Sequence, residues 1–257
     1  MKISIITPSF NQGQFIEDAI ISVLNQHYTD FEHIIVDNCS TDNTLEVVRK
    51  YPHLIWISEP DEGQSDALNK GFARSTGDII GWLNCDDFYL EGAFEQVVSA
   101  LSEEALDGVY SDLQFCNINK RVVKHYKSHR PVKFLSLFHA FISSECFFFK
   151  RRIIQGNLLV QKDMHYCMDQ DFAARVLYGG FKVSYLNTCF AVFRWQGKNK
   201  SLNTPEMRKN RLKEGIIVFN RHNRLVQVNA EKKLNQFLYN CFRNLLKPYR
   251  LYLKLTT

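Results

Sequence analysis

The sequence predicts an α/β fold in which a mainly parallel sheet is flanked by helices. Three observations lead to this prediction. Short apolar runs recur along the first 90 residues, polar residues close each run, and segments with apolar residues at helical spacing lie between them. An alternation of strands and helices is typical of a parallel sheet that is covered on both faces.

The first half of the chain contains four predicted strands, which are the apolar runs 3–6, 33–36, 54–57 and 78–83. Helical spacing between these runs predicts helices within 15–24, 45–48 and 64–73. The four strands end in polar residues, namely Thr7, Asp37, Glu59 and Asp86. We interpret Thr7 and Pro8 as the end of the first strand.

After residue 92 the pattern is less regular, and it predicts a mixed second half. The expected helices are 94–101, 169–177 and 205–219, followed by a helical tail. The segments 109–115 and 122–126 predict an antiparallel ribbon, and 147–149, 183–186 and 189–193 are further candidate strands.

Composition and charge exclude several classes of protein. The net charge of +5 is too small to indicate nucleic-acid binding, and the segment 231–257, with six positive residues and one negative residue, accounts for all of it. The seven cysteines are an odd number without a C-x-x-C pair, which indicates free thiols in a reducing compartment. No apolar run approaches 18 residues, so we expect a cytoplasmic protein without a membrane-spanning helix.

The polar strand ends predict a ligand site. Ligands of open parallel sheets bind beyond the carboxyl ends of the strands, and a carboxylate after the second strand, here Asp37, often accepts hydrogen bonds from ribose hydroxyls. Neither a G-x-G-x-x-G loop after the first strand nor a P-loop is present. Asp86 and Asp87 are adjacent oxygen ligands for Mg²⁺ or Mn²⁺, which could bind a diphosphate. The alternative for each residue is a turn or helix-cap role.

Three segments, 7–12, 36–42 and 77–87, resemble glycosyltransferase family 2 in their residues, order and spacing. The resemblance covers residues 1–200 and is strongest over the first 90. It implies the A-type glycosyltransferase fold, with a catalytic domain at 1–200 and a basic, amphipathic helical extension at 201–257. Within the catalytic domain, it implies a Rossmann-like nucleotide-binding half at 1–90 and an acceptor half at 91–200.

The resemblance also implies roles in binding the donor. Asp86 and Asp87 would be the metal ligands, and Asn84 replaces an aspartate that the family often has. Asp66 would face the nucleotide, although an acid near a helix N-terminus also interacts favourably with the helix dipole. The implied donor-binding residues are Thr7, Pro8, Ser9, Asn11, Asp37, Asp66, Asp86 and Asp87.

The second half must supply a base, because direct inversion at an anomeric carbon needs a carboxylate that takes the proton of the acceptor hydroxyl. Segment 168–175 resembles the acidic motif of the family, with Asp169 at the position of the base and Asp171 as the second candidate. The alternative is that either acid caps the helix. By resemblance, Arg194 and Gln196 would lie near the diphosphate, with Gln196 where the family often has histidine. Glu145 would border the acceptor.

The tail combines apolar residues at helical spacing from residue 234 onwards with interspersed basic residues. This pattern predicts an amphipathic helix on the cytoplasmic face of a membrane, which suits a lipid-linked acceptor. The alternatives are a helix that packs on the catalytic domain and a dimer contact.

Taken together, the motifs predict an inverting, metal-dependent glycosyltransferase that uses Mn²⁺ or Mg²⁺. The donor would be a nucleotide-diphosphate sugar, UDP-linked by resemblance, and the acceptor a saccharide or a lipid-linked saccharide in surface polysaccharide biosynthesis. A nucleotidyltransferase should have a Gly-rich, Arg-containing loop after the first strand, which 8–12 lacks. A non-catalytic nucleotide-sugar binding or scaffold protein would fit the departures at Asn84 and Gln196, but the retained Asp86, Asp87, Asp169 and Asp171 argue against it.

Overall fold

The computed structural model describes residues 1–197, 199, 204–222 and 232–256, and in the last range it describes side chains from residue 237 onwards. The strands are β1 (Ile3–Ser9), β2 (Phe31–Asp37), β3 (Ile55–Ser58), β4 (Ile79–Trp82), β5 (Phe88–Tyr89), β6 (Gly108–Asn117), β7 (Val122–Tyr126), β8 (Phe147–Lys150) and β9 (Val183–Trp195). The helices are α1 (Ile16–Leu24), α2 (Thr44–Val48), α3 (Gln64–Arg74), α4 (Ala93–Leu101), α5 (Arg152–Gln155), α6 (Met168–Tyr178), α7 (Pro205–His222), α8 (Lys232–Leu245) and α9 (Lys247–Thr256). Two 3-10 turns lie at Lys133–Leu137 and Ser144–Cys146.

All strands belong to one sheet with the order β3-β2-β1-β4-β8-β6-β9-β5, and β7 pairs with β6 beside this path. The pairs among β1 to β4 are parallel, whereas β8 is antiparallel to both of its neighbours, β4 and β6. This arrangement confirms a regular parallel half that continues into a mixed half. The predicted ribbon is the antiparallel pair of β6 and β7, and the two predicted strands at 183–186 and 189–193 form one irregular strand, β9.

The centre of the sheet is buried on both faces, and the three consecutive phenylalanines of β8 show why. Side chains alternate between the faces of a strand. Phe148 therefore packs on one face against Phe94 of α4, with ring centroids 6.0 Å apart. Phe149 packs on the other face against Phe172 of α6, at 5.3 Å. A continuous apolar run is typical of a strand that helices cover on both faces.

The first strand is longer than its sequence predicts. It continues through Pro8 to Ser9, and Pro8 lies opposite Val36 of β2. Proline cannot donate a backbone hydrogen bond, which usually confines it to the edges of sheets. It is tolerated here because β4 pairs with β1 only as far as Ile6, so β1 is an edge strand on that side beyond this residue.

The C-terminal helices pack on the same core as the sheet. Phe219 of α7, Tyr239 of α8 and Leu253 of α9 are buried. The ring of Phe138, which lies just after the first 3-10 turn, is 5.2 Å from that of Phe219 and 5.5 Å from that of Tyr239. The inner faces of the extension therefore match the alternative in which the tail packs on the domain.

Parts of the predicted tail lie outside the described residues. They include Glu231, Thr257, and the side chains of Lys232 and Lys233, as well as the predicted boundary between residues 200 and 201. In the part of the chain that the structure describes, no helix combines the length and the apolar character needed to cross a bilayer.

Candidate active site

A cavity of about 1170 Å³ lies beyond the carboxyl ends of β1, β2 and β4, where an open α/β sheet binds its ligands. The loops after these strands form one wall, and the mixed half and the extension form the other. The cavity brings together six of the residues predicted for the site, namely Pro8, Ser9, Asp86, Glu145, Asp169 and Gln196.

Asp86 follows β4 and is tied to the chain beyond β9. Its Oδ2 accepts hydrogen bonds from Nε2 of Gln196 at 2.7 Å and from Nδ2 of Asn199 at 3.0 Å. Burial raises the pKa of Asp86 above its usual value, and the two amide donors act in the opposite direction. Gln196 thus lies beside the predicted metal ligand, whereas no motif in the sequence indicates Asn199.

The contacts of Asn84 explain why asparagine is present where the family often has aspartate. Its side-chain amide is hydrogen-bonded to two carboxylates. Nδ2 donates to Glu145 at 2.7 Å and to Asp87 at 3.1 Å. Oδ1 accepts from Nε2 of Gln64 at 2.7 Å and from the indole of Trp82 at 3.1 Å. An ionised aspartate at this position could accept but not donate, and it would add a third negative charge. Asparagine is therefore the residue that this arrangement requires.

Asp87 does not line the cavity, and its role as a donor and metal ligand stays a prediction from the sequence. Its carboxylate is fully buried and accepts hydrogen bonds from the backbone N–H of Arg194, at 2.9 Å, and from Asn84. Burial first, and then the charges of Asp86 and Glu145, raise the pKa of Asp87 well above its usual value. Asp87 thus joins β9 to the loop after β4.

The residues of the cavity fit a divalent cation that is held by one carboxylate. Among the described residues, no group of three or more His, Cys, Asp or Glu side chains could hold a metal ion. Mg²⁺, however, is often bound by one or two carboxylates together with substrate phosphates. Asp86 lines the cavity next to two further acids, Asp87 and Glu145, so this region favours a cation. Of the two predicted metal ligands, Asp86 and Asp87, Asp86 is the one that lines the cavity.

Asp169 lies in the first turn of α6 and also lines the cavity. Burial raises its pKa to about 6, the charge of Glu145 acts in the same direction, and a 2.7 Å hydrogen bond from the N–H of Gln170 to Oδ1 opposes both. A carboxylate with this pKa is ionised at neutral pH and is a stronger base than an ordinary aspartate. These properties match those of a general base.

The loop before α6 is held by an acid of the extension. The carboxylate of Glu214, on α7, is buried and accepts the backbone N–H groups of His165, Tyr166 and Cys167 at 3.1, 2.7 and 2.8 Å. Backbone N–H groups before a helix need acceptors, and a charged acceptor strengthens such bonds. Glu214 therefore fixes the approach of the chain to Asp169, a role that no sequence motif indicates.

Asp171 does not line the cavity, and its role as the second candidate base stays a prediction from the sequence. It is fully buried between two arginines, with Oδ2 2.7 Å from Nε of Arg175 and Oδ1 2.7 Å from Nη1 of Arg221. Residues 169 and 171 point in different directions because successive side chains of a helix are about 100° apart. Asp171 is therefore an ion-pair residue that joins α6 to α7.

Two strand-end residues predicted to bind the donor are fully buried and do not line the cavity. Thr7 lies inside β1 because the strand continues past it, and its hydroxyl is 2.9 Å from Nε2 of His33. Asp37 accepts hydrogen bonds from the hydroxyl and N–H of Ser40 and from the hydroxyl of Ser58. These contacts hold the loops beside the cavity. The side chains of Thr7 and Asp37 do not face the cavity.

Asn11 and Asp66 also have partners in the protein and do not line the cavity. Asn11 has a positive φ of 51°, and its Oδ1 accepts the N–H of Thr41 at 2.9 Å, which joins the loops after β1 and β2. Asp66 lies in the first turn of α3, accepts the N–H of Glu62 and pairs with Lys162 at 2.7 Å. The alternative of a helix N-terminal acid describes Asp66 better than the predicted nucleotide contact.

The side chain of Arg194 does not line the cavity, contrary to its prediction as a diphosphate neighbour. Its guanidinium is buried, pairs with Asp18 at 2.6 Å and lies over the rings of Phe15 and Phe88. Asp18 is 176 positions earlier in the chain, so this pairing could not be read from the local motif.

Cationic residues of the extension line the cavity instead. They are Arg208, Lys209 and Arg211 of α7 and Arg243 of α8. Positive charges along a cleft attract anionic ligands. The run of basic residues near the start of a predicted helix was the available signal, but nothing in the sequence placed this helix beside the strand ends.

Comparisons with known proteins agree with the fold. The family model described as Glycosyl transferase family 2 matches residues 4–172. The chain is 34% identical over 109 residues to the putative teichuronic acid biosynthesis glycosyltransferase TuaG of Bacillus subtilis, which covers 40% of this chain and 43% of that protein. It is 35% identical over 113 residues to the poly(ribitol-phosphate) beta-N-acetylglucosaminyltransferase TarP of Staphylococcus aureus, covering 41% and 35%. The chain spans about half the length, or less, of the curated relatives it matches.

Solved structures share the fold. TarS 1–349 of S. aureus in complex with UDP-GlcNAc has a TM-score of 0.66 and 18% identity, over 96% of this chain and 72% of that chain. Mannosyltransferase PcManGT of Pyrobaculum calidifontis in complex with GDP-Man and Mn²⁺ has the same TM-score and identity, over 99% and 73%. The fold is thus that of the A-type glycosyltransferases. With more than half of its length matched, the chain belongs to glycosyltransferase family 2.

Proposed function

We propose that this protein is an inverting glycosyltransferase that moves a sugar from a nucleotide-diphosphate donor, with UDP as the nucleotide, to a hydroxyl group of an acceptor. One observation carries the proposal. A single cavity is lined both by Asp86, which follows β4, and by Asp169, in the first turn of α6, whose pKa is about 6. Residues 1–200 would be the catalytic domain, with the donor half at 1–90 and the acceptor half at 91–200.

In the proposed reaction, Asp169 takes the proton of the acceptor hydroxyl while that oxygen attacks the anomeric carbon. The bond from this carbon to the diphosphate breaks in the same step, and the nucleoside diphosphate leaves with the electron pair. Because the acceptor attacks directly, no covalent sugar–enzyme intermediate forms and the configuration inverts. Glu145, which lines the cavity near Asp169, would contact the acceptor.

A divalent cation, Mn²⁺ or Mg²⁺, is part of the proposal. Asp86 would hold it, and the bound ion would neutralise charge on the departing diphosphate. Arg208 and Lys209 line the same cavity and would attract the phosphates. Support comes from structural neighbours, one of which holds UDP-GlcNAc and another GDP-Man with Mn²⁺.

The acceptor class is a saccharide or a lipid-linked saccharide in surface polysaccharide biosynthesis. The names of two relatives support this class, because one refers to teichuronic acid biosynthesis and the other to poly(ribitol-phosphate). The cytoplasmic location remains a prediction from the sequence.

Donor binding is the first test of the proposed function. UDP-, GDP- and dTDP-sugars are added with and without Mn²⁺ or Mg²⁺, and the melting temperature is measured. A donor at a hundredfold excess over its Kd should raise it by about 5–10 °C, because a ligand that binds only the folded state stabilises that state. Asp86→Asn should remove the metal-dependent part of this shift.

The control is Asp30→Asn, which removes an exposed carboxylate at the opposite end of β2 and should leave the shift intact. The proposal would be overturned if no donor raised the melting temperature at saturating metal. The non-catalytic scaffold would be favoured if donors bind but no sugar is transferred to any saccharide acceptor.

The pH dependence of transfer tests the base. Below pH 6, kcat/KM should fall about tenfold per pH unit, because Asp169 must be ionised to accept a proton. Glu145→Gln removes a charge that raises the pKa of Asp169, so the midpoint of the profile should move to lower pH. The measurement is kcat/KM between pH 4.5 and 8 in both proteins.

Asp61→Asn is the matched control, since Asp61 is a cavity carboxylate in the donor half. It should leave the midpoint unchanged. If Glu145→Gln raised KM for the acceptor without moving the midpoint, Glu145 would contact the acceptor without setting the pKa of Asp169.

A further inference from the structure

The outward faces of α8 and α9 carry large apolar side chains that are mostly exposed to solvent. Each is more than half exposed, and Leu245 and Leu255 reach 73% and 77%. We call them the outer apolar surface, and it consists of Phe237, Leu245, Leu251, Tyr252 and Leu255. Single exposed apolar residues are normal, but a group of large ones on two consecutive helices marks an interaction site.

Helical geometry shows that this surface is a second face of the extension. Leu251, Tyr252 and Leu255 are separated by one and by three positions, a spacing that places them on one side of α9. Leu253, on the opposite side, is fully buried against the core. On α8, Tyr239 is buried, whereas Phe237 and Leu245, eight positions apart, both face outward. Each helix therefore has one apolar side in the core and another in solvent.

The segment that carries this surface is basic. Residues 237–256 contain four basic residues, Arg243, Lys247, Arg250 and Lys254, and no aspartate or glutamate. Arg243 and Lys247 are exposed. Burial lowers the pKa of Lys254, and the positive charges of Arg250 and Lys124 lower it further, while the charge of Asp112 acts in the opposite direction. An occupant must therefore combine an apolar layer with negative charge.

A second copy of the chain does not meet this requirement. Pairing two outer apolar surfaces would bring two copies of segment 237–256 together, each with four basic residues and no acid to neutralise those of the other. An anionic bilayer meets it, because it accepts apolar side chains at the boundary of headgroups and acyl chains and attracts basic residues electrostatically.

We propose that α8 and α9 dock on an anionic membrane surface, with the outer apolar surface inserted among the lipids. Tyr239 and Arg243 of α8 line the cavity while Phe237 and Leu245 face outward. Docking thus holds the wall of the cavity next to the lipid headgroups. Docking does not depend on the proposed function, and if that function holds, it places a lipid-linked acceptor within reach of the cavity.

The test is co-sedimentation of the full chain with vesicles. Vesicles of phosphatidylcholine with phosphatidylglycerol should bind the protein, vesicles of phosphatidylcholine alone should bind it much more weakly, and added salt should reduce binding. The variant Leu245→Ser with Leu251→Ser and Leu255→Ser should weaken binding by about tenfold or more. Lys247→Gln should weaken it by about fivefold.

The control variant is Ile21→Ser with Leu24→Ser, which changes two exposed apolar residues of α1 and should leave binding unchanged. Substitution is preferred to truncation because Tyr239 and Leu253 belong to the core. All variants should keep the parent's melting temperature, since the altered residues are exposed. Absence of binding to anionic vesicles would overturn the proposal, as would a dimer in solution that the triple serine variant abolishes.

Discussion

Asp169→Asn is expected to slow sugar transfer by about 10²–10⁴-fold, the range that a positioned general base contributes. Asparagine has nearly the same shape and can still accept the N–H of Gln170, but it cannot take a proton from the acceptor hydroxyl. Donor binding, measured by thermal shift, should be unchanged, because the substitution leaves Asp86, the proposed metal ligand, and its hydrogen bonds in place. Initial rates with saturating donor provide the measurement.

Asp163→Asn is a matched control that removes an exposed carboxylate six positions earlier and should leave the rate unchanged. A rate for Asp169→Asn equal to that of the parent would show that the base lies elsewhere in the cavity. A low rate that is accompanied by a loss of donor binding would instead indicate damage to the whole site.

The second large effect concerns stability. Asp171→Asn should lower the free energy of unfolding by about 3 kcal/mol, because it leaves Arg175 and Arg221 without the carboxylate that neutralises both. This value is at the lower end for a broken buried ion pair, since both arginines keep some contact with water. For a chain of this length, the melting temperature should fall by about 6–12 °C. Urea or thermal unfolding of the variant and the parent measures the change.

Asp163→Asn again serves as the control, because Asp163 is a solvent-exposed partner of the same Arg221, at 3.2 Å. An exposed ion pair contributes about 1 kcal/mol or less, so this variant should unfold almost like the parent. Equal unfolding curves for Asp171→Asn and Asp163→Asn would contradict the buried ion pair.

The inner strands of the regular half, β1, β2 and β4, were predictable because they are buried on both faces. The run from Ile34 to Val36 is fully buried, and such strands consist of uninterrupted apolar residues. The end of β1 was not predictable, because whether Pro8 fits in a strand depends on how far β4 extends beside it. The irregular β9 appeared as two strands because its pairing with β6 changes register near Asp112.

The predicted site residues also fall into two groups, those whose position the sequence could predict and those whose position it could not. Asp86 and Asp169 line the cavity because their positions, after a strand and at the start of a helix, determine where they point. Arg194 and Asp171 have side chains whose partners come from distant segments, Asp18 in one case and Arg221 in the other. A local motif identifies the residue in such cases, but the choice of partner depends on tertiary packing.

Because of the hydrogen bonds of Glu214, the residues that support the candidate active site extend beyond the segment that the family model matches. The matched segment stops at residue 172, whereas the acid that holds the loop before Asp169 is at position 214. The loop at 165–167 and α7 therefore depend on each other, so a substitution in either segment must remain compatible with the other. A chimera with another family member would inherit a working base only if its junction kept both segments from the same parent.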